Sequence, residues 1–369
     1  MKRFLTKTAL FILIPTVSLG IIEALLPATF FTYRHWEALS IVTRVPIISK
    51  AFYPNIKSAM NAAGDLCHHT NKSILKNEFW ITDKLGYRND EFVDEADVLF
   101  IGDSFIAGSN LNQDEIISNR VKINNKSDNH YNLLVYNMAP GTFSTFDRYL
   151  KTGILKPPQL IIFSQCERAV PGAMVSYDVK KQSRLKNAIK YIFGIYNINV
   201  FIDKALRQYS VKWLRSRVHN SKRIGVPAKG NSNMYFLNGI SQKQETMEDL
   251  HTTAKVIISY KKYCDSLGID FLFLPMPNKE TVYYELVPFD KQSNYLYQLD
   301  SLLCIAKVST INTLKIYMDY RKTSNKLLYH LDDTHWNFTA TELMSKEIVN
   351  KIRTNAQHGL GKRAGGEQK

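Results

Sequence analysis

Two short polar clusters carry the residue types that nucleophilic catalysis needs. Gly102-Asp103-Ser104-Phe105 follows the apolar run Val98-Leu99-Phe100-Ile101. A serine at such a strand-to-helix turn sets its hydroxyl at a helix N-terminus, where backbone N–H groups and the helix dipole favour an oxyanion. A serine hydroxyl is a weak nucleophile at neutral pH and needs a base. Alone, Gly-Asp-Ser also reads as a helix N-cap after a strand. The second cluster is His330-Leu331-Asp332-Asp333-Thr334-His335-Trp336-Asn337, just before a helix-like segment. His335 is a candidate general base if a carboxylate fixes its tautomer, and a tight turn can fold either Asp332 or Asp333 back onto the ring. Alone, this cluster also reads as a polar turn capping the last helix.

The elements that must position these clusters are short apolar runs, each followed by turn chemistry. Besides Val98-Leu99-Phe100-Ile101 they are Leu133-Leu134-Val135-Tyr136, Leu160-Ile161-Ile162-Phe163 and Ile269-Asp270-Phe271-Leu272-Phe273-Leu274. They lack polar alternation, as parallel strands buried on both faces do. Segments of helical length separate them, so the fold class is α/β, a three-layer α/β/α parallel sheet with sites beyond the carboxyl ends of its strands. The stretch 169–246 is too long for one crossover and reads as a helical inserted subdomain. Between 180 and 229 it is rich in Lys and Arg, with Asp203 as the one acidic residue and aromatics interleaved. Two readings stay open: a surface for anionic headgroups or an acidic polymer, or a solvated basic face over buried aromatics.

Lys2, Arg3 and Lys7 precede an apolar run over 9–22 that resumes after Glu23 and reaches Phe31. Basic flanks before an apolar stretch mark a signal anchor or a signal peptide, with everything after it exported. Ser18-Leu19-Gly20 is a poor cleavage site, so 1–31 reads as an uncleaved transmembrane anchor, with a cleaved signal as the alternative. The rest divides into a helical connector (32–79), a catalytic domain (80–354) carrying the insertion, and a disordered polar tail (355–369). The 369 residues include 45% hydrophobic and 22% charged residues, a globular composition that excludes disorder and collagen. A mean hydropathy of −0.22 excludes a multi-span membrane protein. The formal charge of +15 favours a polyanionic or membrane-surface partner, and export argues against nucleic acid. Four cysteines (Cys67, Cys166, Cys264, Cys304) are too few and too scattered for a disulfide scaffold. Export to an oxidising compartment permits a disulfide with Cys67 as a candidate member, while Cys264 and Cys304 lie in apolar contexts that read equally well as buried free thiols. Cys67-His68-His69 lacks further ligands at a usable spacing, and no metal or cofactor is called for.

The two clusters together resemble the SGNH (GDSL-like) hydrolase superfamily, and within it the alginate O-acetyltransferase-like branch. Trp80-Ile81-Thr82-Asp83-Lys84-Leu85-Gly86-Tyr87-Arg88-Asn89 is similar to that branch's opening segment. Pro275-Met276-Pro277-Asn278-Lys279-Glu280-Thr281-Val282-Tyr283 is similar to its stretch after a central strand, and Asp-Thr-His-Trp-Asn is its most specific mark. The resemblance implies an SGNH-type, flavodoxin-like fold with Ser104 as nucleophile and His335 as base. The branch places the acid two residues before the histidine, at Asp333; the wider superfamily places it three before, at Asp332. Gly141 is implied as an oxyanion donor. An asparagine usual in the third block is replaced by Gln165-Cys166-Glu167-Arg168. Gln165 is then the candidate amide donor and Arg168 a nearby cation, while Cys166 reads as a structural thiol. Asp103, Arg168, Lys279, Tyr283 and Trp336 are candidate substrate contacts. The activity implied is O-acetylation of a surface or secreted polysaccharide from the periplasmic side of the inner membrane, with an integral-membrane partner delivering the acyl group. An esterase, or an inactive glycan-binding scaffold, are the alternatives.

Overall fold

A computed structural model describes residues 2–41, 51–125, 133–139, 143–179, 198–218, 225–230, 233–237, 246–287 and 293–364. The chain opens with helix α1 (Lys2–Leu25), then the short helices α2 (Ala28–Phe31) and α3 (His35–Leu39). Strands β1 (Lys57–Ala62) and β2 (Lys76–Ile81) pair antiparallel. The segment 32–79, expected to be helical, is therefore largely a hairpin. β1 (Lys-Ser-Ala-Met-Asn-Ala) and the first half of β2 (Lys-Asn-Glu) carry no β-branched or aromatic residue, so only Phe79-Trp80-Ile81 bears the residue types that mark strands in sequence.

The central sheet consists of β3 (Val98–Ile101), β4 (Val135–Met138), β5 (Leu160–Cys166), β8 (Asp270–Met276) and β9 (Ser309–Thr310). All pairs are parallel, in the order β4-β3-β5-β8-β9. This is the flavodoxin-like doubly wound arrangement, and its switch point lies between β3 and β5. Around the sheet pack α4 (Ser104–Ala107), α5 (Ile117–Asn124), α6 (Phe143–Lys151), α9 (Met247–Ser266), α11 (Tyr295–Ile305), α12 (Thr313–Thr323) and α13 (Phe338–Ala364). A four-residue helix, α10 (Lys279–Val282), follows β8. Every residue of β3 is buried, and β8 is buried beyond Asp270. On one face Phe143 of α6 stacks on Tyr260 of α9 at 4.1 Å, and Phe163 of β5 meets Tyr260 edge-on at 5.1 Å. Side chains this large, fully buried, stabilise by about 1.5–3 kcal/mol each.

Within 169–246 the regular elements among the described residues are helices α7 (Ile198–Arg207) and α8 (Tyr209–Val218) and a two-residue antiparallel pair, β6 (Val226–Pro227) with β7 (Tyr235–Phe236). Residues 180–197, 219–224, 231–232 and 238–245 lie outside the described residues. The final helix reaches Ala364, which corrects the expected disorder from residue 355 through 364. Helix propagation adds one bond per residue to a turn already packed, and 355–364 contains no proline to stop it. All four cysteines are free thiols. Cys67, Cys166 and Cys264 are buried, whereas Cys304, expected inside, is exposed on α11.

Candidate active site

Ser104 opens α4 directly after β3, at the switch point. Asp103 caps that helix: its Oδ1 accepts the Phe105 N–H at 2.9 Å, and its Oδ2 accepts the Cys166 N–H from the end of β5 at 3.1 Å. The aspartate thus ties two neighbouring strand ends together and fixes the turn that carries Ser104. The Ser104 hydroxyl lies 2.7 Å from His335 Nε2, and His335 Nδ1 lies 2.6 Å from Asp333 Oδ1. With Nδ1–H donating to the carboxylate, Nε2 is left to accept the serine proton. The His335 backbone N–H also donates to Asp333 Oδ1 at 2.8 Å, so the aspartate folds back two residues onto its own turn.

The other oxygen of Asp333 is held from outside that turn. Asp65 donates its backbone N–H to Asp333 Oδ2 at 2.7 Å, and Asn110 Nδ2 donates to the same oxygen. Asp65 lies on the β1–β2 connection, and its carboxylate accepts the Thr334 N–H (2.9 Å) and hydroxyl (2.8 Å). Asn110 sits at φ +63° in the loop after α4. Buried Arg88 fastens that loop: it donates to the carbonyls of Ala107, Gly108 and Leu111 and to Gln113, and stacks over Trp80 at 4.0 Å.

The charges follow from these contacts. Burial alone would raise the Asp333 carboxyl, but the charge and hydrogen bond of His335, with Lys76 and Arg34, hold it well below the usual carboxylate range. Burial, then the Asp333 charge, raise Asp65 above its ordinary value. Burial pushes the Cys166 thiol up to about 12, which leaves it protonated and inert. Asp65, Asp333 and His335 bring ligand-type atoms within 4.8 Å of one another. Each carries a hydrogen bond from this network, which is chemistry suited to orienting an imidazole.

The remaining candidates separate clearly. Asp332 turns away from the imidazole: its carboxylate accepts the Gly64 N–H (3.1 Å), the Ile74 N–H (2.9 Å) and Lys76 Nζ (3.1 Å). Lys279, a candidate substrate contact, is instead fully buried, and Nζ donates to the carbonyls of Tyr235, His330, Leu331 and Asp333 at 2.6–3.1 Å. Tyr283 accepts the Leu328 N–H on its hydroxyl at 2.9 Å. Trp336 is buried edge-on against Phe105 at 5.9 Å. These three, like Asp103, brace the histidine and serine turns from inside: Lys279 satisfies carbonyls, Tyr283 and Asp103 accept backbone N–H groups, and Trp336 fills the core. Arg168 lies half-buried with Nη1 3.3 Å from Asn278 Oδ1 and its guanidinium over the Phe105 ring at 5.8 Å. Gln165 is half-buried near the end of β5, paired with Pro275. Gly141 lies outside the described residues. A cleft of about 300 Å³ opens on the Asp333 side of the network, lined by Lys76, Asn110, His330 and Phe338 among others.

Sequence reasoning missed Asp65, Asn110 and Arg88. No local spacing announces them, since Asp65 and Asp333 are 268 residues apart in the chain.

No protein-family model matches the chain, and no curated protein matches it. Among solved structures, the lipase/acylhydrolase from Enterococcus faecalis is similar with a TM-score of 0.37 and 10% sequence identity, over 71% of this chain and 97% of that one. The chemistry open to this chain is read from its own site.

Proposed function

We propose that the chain is an exported, membrane-anchored enzyme that carries an acyl group on Ser104 and passes it to a glycan hydroxyl. The observation that carries this reading is the continuous chain of contacts Ser104–His335–Asp333, at 2.7 and 2.6 Å. Nε2 of His335 takes the Ser104 proton as Oγ attacks the donor's carbonyl carbon, and Asp333 supports the imidazolium. Collapse of the tetrahedral intermediate expels the leaving group, which receives that proton, and leaves acyl-Ser104. An acceptor hydroxyl then gives its proton to Nε2 and attacks the acyl carbon, and the imidazolium returns that proton to Ser104 Oγ as the acyl–serine bond breaks. The Ser104 N–H, at the first turn of α4, and Gly141 are the proposed oxyanion donors, with Gln165 and Arg168 at the neighbouring strand end. The resemblance to the alginate O-acetyltransferase-like branch supplies acetyl as the group, a polysaccharide as the acceptor and an integral-membrane partner as the donor. Helix α1, with a mean hydropathy of 2.0 over Thr6–Leu25, is long and apolar enough to be a membrane anchor or a signal sequence. The proposed location is the inner membrane, with the catalytic domain on the periplasmic side.

The test is intact mass of the full chain in detergent after exposure to an activated acetyl ester, beside Ser104→Ala. A single acetyl adduct on the wild type alone, discharged by oligosaccharide, is the expected result. Prompt acetate release without acceptor would assign the site to hydrolysis. No serine-dependent adduct would overturn the enzyme reading and leave a glycan-binding scaffold.

A further inference from the structure

Helix α1 is exposed almost all round, with 6% of its Thr6–Leu25 span buried. Its C-terminal end is the exception. Glu23 is buried there, and its two oxygens accept the Tyr209 N–H (2.9 Å) and the Ser210 N–H (2.8 Å). Those are the first two amides of α8, so the carboxylate occupies the positive end of that helix. Gln208, at φ +50°, makes the sharp corner between α7 and α8. Arg207, just before it, donates to the carbonyls of Glu37 and Ser40 and lies over the Tyr209 ring at 4.4 Å. The α7–α8 corner is therefore fixed at the level where the apolar span of α1 ends.

What surrounds that level is amphipathic. Phe30 of α2 lies 5.2 Å from Phe31 and 6.4 Å from Trp213 of α8. Phe30 is 57% exposed, Leu214 49% and Val218 72%. Leu214 and Val218 are four residues apart and share one helix face. Arg215 is exposed on the adjoining face of the same helix and Lys212 on its far side. Apolar side chains grouped with aromatics and flanked by cations match the boundary between headgroups and acyl chains.

We propose that α8, together with Phe30, lies in the headgroup–acyl boundary of an anionic bilayer, as a second membrane contact beside α1. This rests on reading α1 as an anchor. An acidic polysaccharide would answer Lys212 and Arg215 but not the exposed Phe30, Leu214 and Val218. The contact holds the Ser104 site at a set height and orientation over the lipid, where one flexible tether would let it tumble.

The test uses the full chain in nanodiscs of phosphatidylcholine with phosphatidylglycerol. A Cys304→Ser background removes the exposed thiol, and single cysteines placed at Val17, Leu214, Val218 or Ile305 carry a nitrobenzoxadiazole dye. Spin-labelled lipids quench the dye by depth. Expected are strong quenching at Val17 by deep labels, at least about twofold loss at Leu214 and Val218 by shallow labels, and no loss at Ile305 on α11. Leu214 and Val218 behaving like Ile305 while Val17 is quenched would overturn this inference and leave the anchor standing. No quenching at Val17 either would overturn the anchor and this inference with it.

Discussion

At the residue scale the two aspartates of one turn do different work. Asp333 touches the imidazole, whereas Asp332 binds the Gly64 and Ile74 amides and Lys76. A triad acid fixes the tautomer of its histidine, so Asp333→Asn is expected to lower kcat by about 10³–10⁴-fold. Asp332→Asn keeps one acceptor oxygen and is expected to lower thermal stability with kcat changed far less. Steady-state rates of the two variants, measured side by side, decide between them; equal losses would sink the assignment. Asp65 supplies a second prediction, through pH. Its folded pKa is raised above the ordinary 3.8 by burial and by Asp333. The native state therefore binds more protons than the unfolded chain above that value, and Asp65 costs stability as pH rises through its folded pKa. Asp333, held low, has the opposite sign: the stability it adds is lost as pH falls from the ordinary 3.8 through its lower folded value. Asp65→Asn removes the first slope. Its Tm relative to wild type is expected to rise as pH climbs above the ordinary value of 3.8, whatever constant offset the lost acceptor adds. A difference that stays flat across that range would show that Asp65 ionises normally.

At the element scale, the turn that carries His335 is a loop that other elements hold in shape. Lys279, at the start of α10, gathers four carbonyls from β7 and the 330–333 turn around one ammonium. Burial draws that ammonium down to about 8, yet the four oxygens leave it no better partner. Lys279→Met would strand those carbonyls without a donor. It is expected to cost about 3 kcal/mol or more, read as a lower urea midpoint, with loss of activity as His335 drifts. Unchanged stability would make Lys279 free for substrate. The strands β3, β5 and β8 and both polar clusters were legible in sequence, because continuous burial and turn chemistry are local signals. The support was not legible. Asp65 reaches the site only because β1 and β2 fold as a hairpin, and β1 with the Lys76-Asn77-Glu78 start of β2 reads in sequence as connecting chain. Gly64 beside it passes so near the turn that a Cβ would land on the Asp332 carbonyl and lie 2.6 Å from its Cγ. Closeness of that kind is created by the fold and leaves no periodicity behind.

At the scale of the whole molecule, three segments far apart in sequence are tied to one another: the α1 end, the chain leading into the β1–β2 hairpin and the α7–α8 corner. Tyr53, leading into the hairpin, donates its hydroxyl to Asp203 of α7 at 2.9 Å, and Tyr209 of α8 donates to the carbonyls of Glu37 and Ala38. The basic insertion is thus fastened to the N-terminal segment, and Glu23 fastens both to α1. Removing that carboxylate frees the first two amides of α8, each worth about 1 kcal/mol as a lost cap. Glu23→Ala in nanodiscs is therefore expected to speed hydrogen exchange at Tyr209 and Ser210 by about tenfold, while amides of β3 and β5 keep their protection. The triad contacts lie in another part of the chain, so acetyl transfer from a soluble activated ester should persist in this variant. Transfer from a donor held in the bilayer should fall, since the domain would lose its fixed pose over the lipid. Equal loss toward both donors would show that the α1–α8 link supports the fold of the site itself and does not set its approach to the membrane.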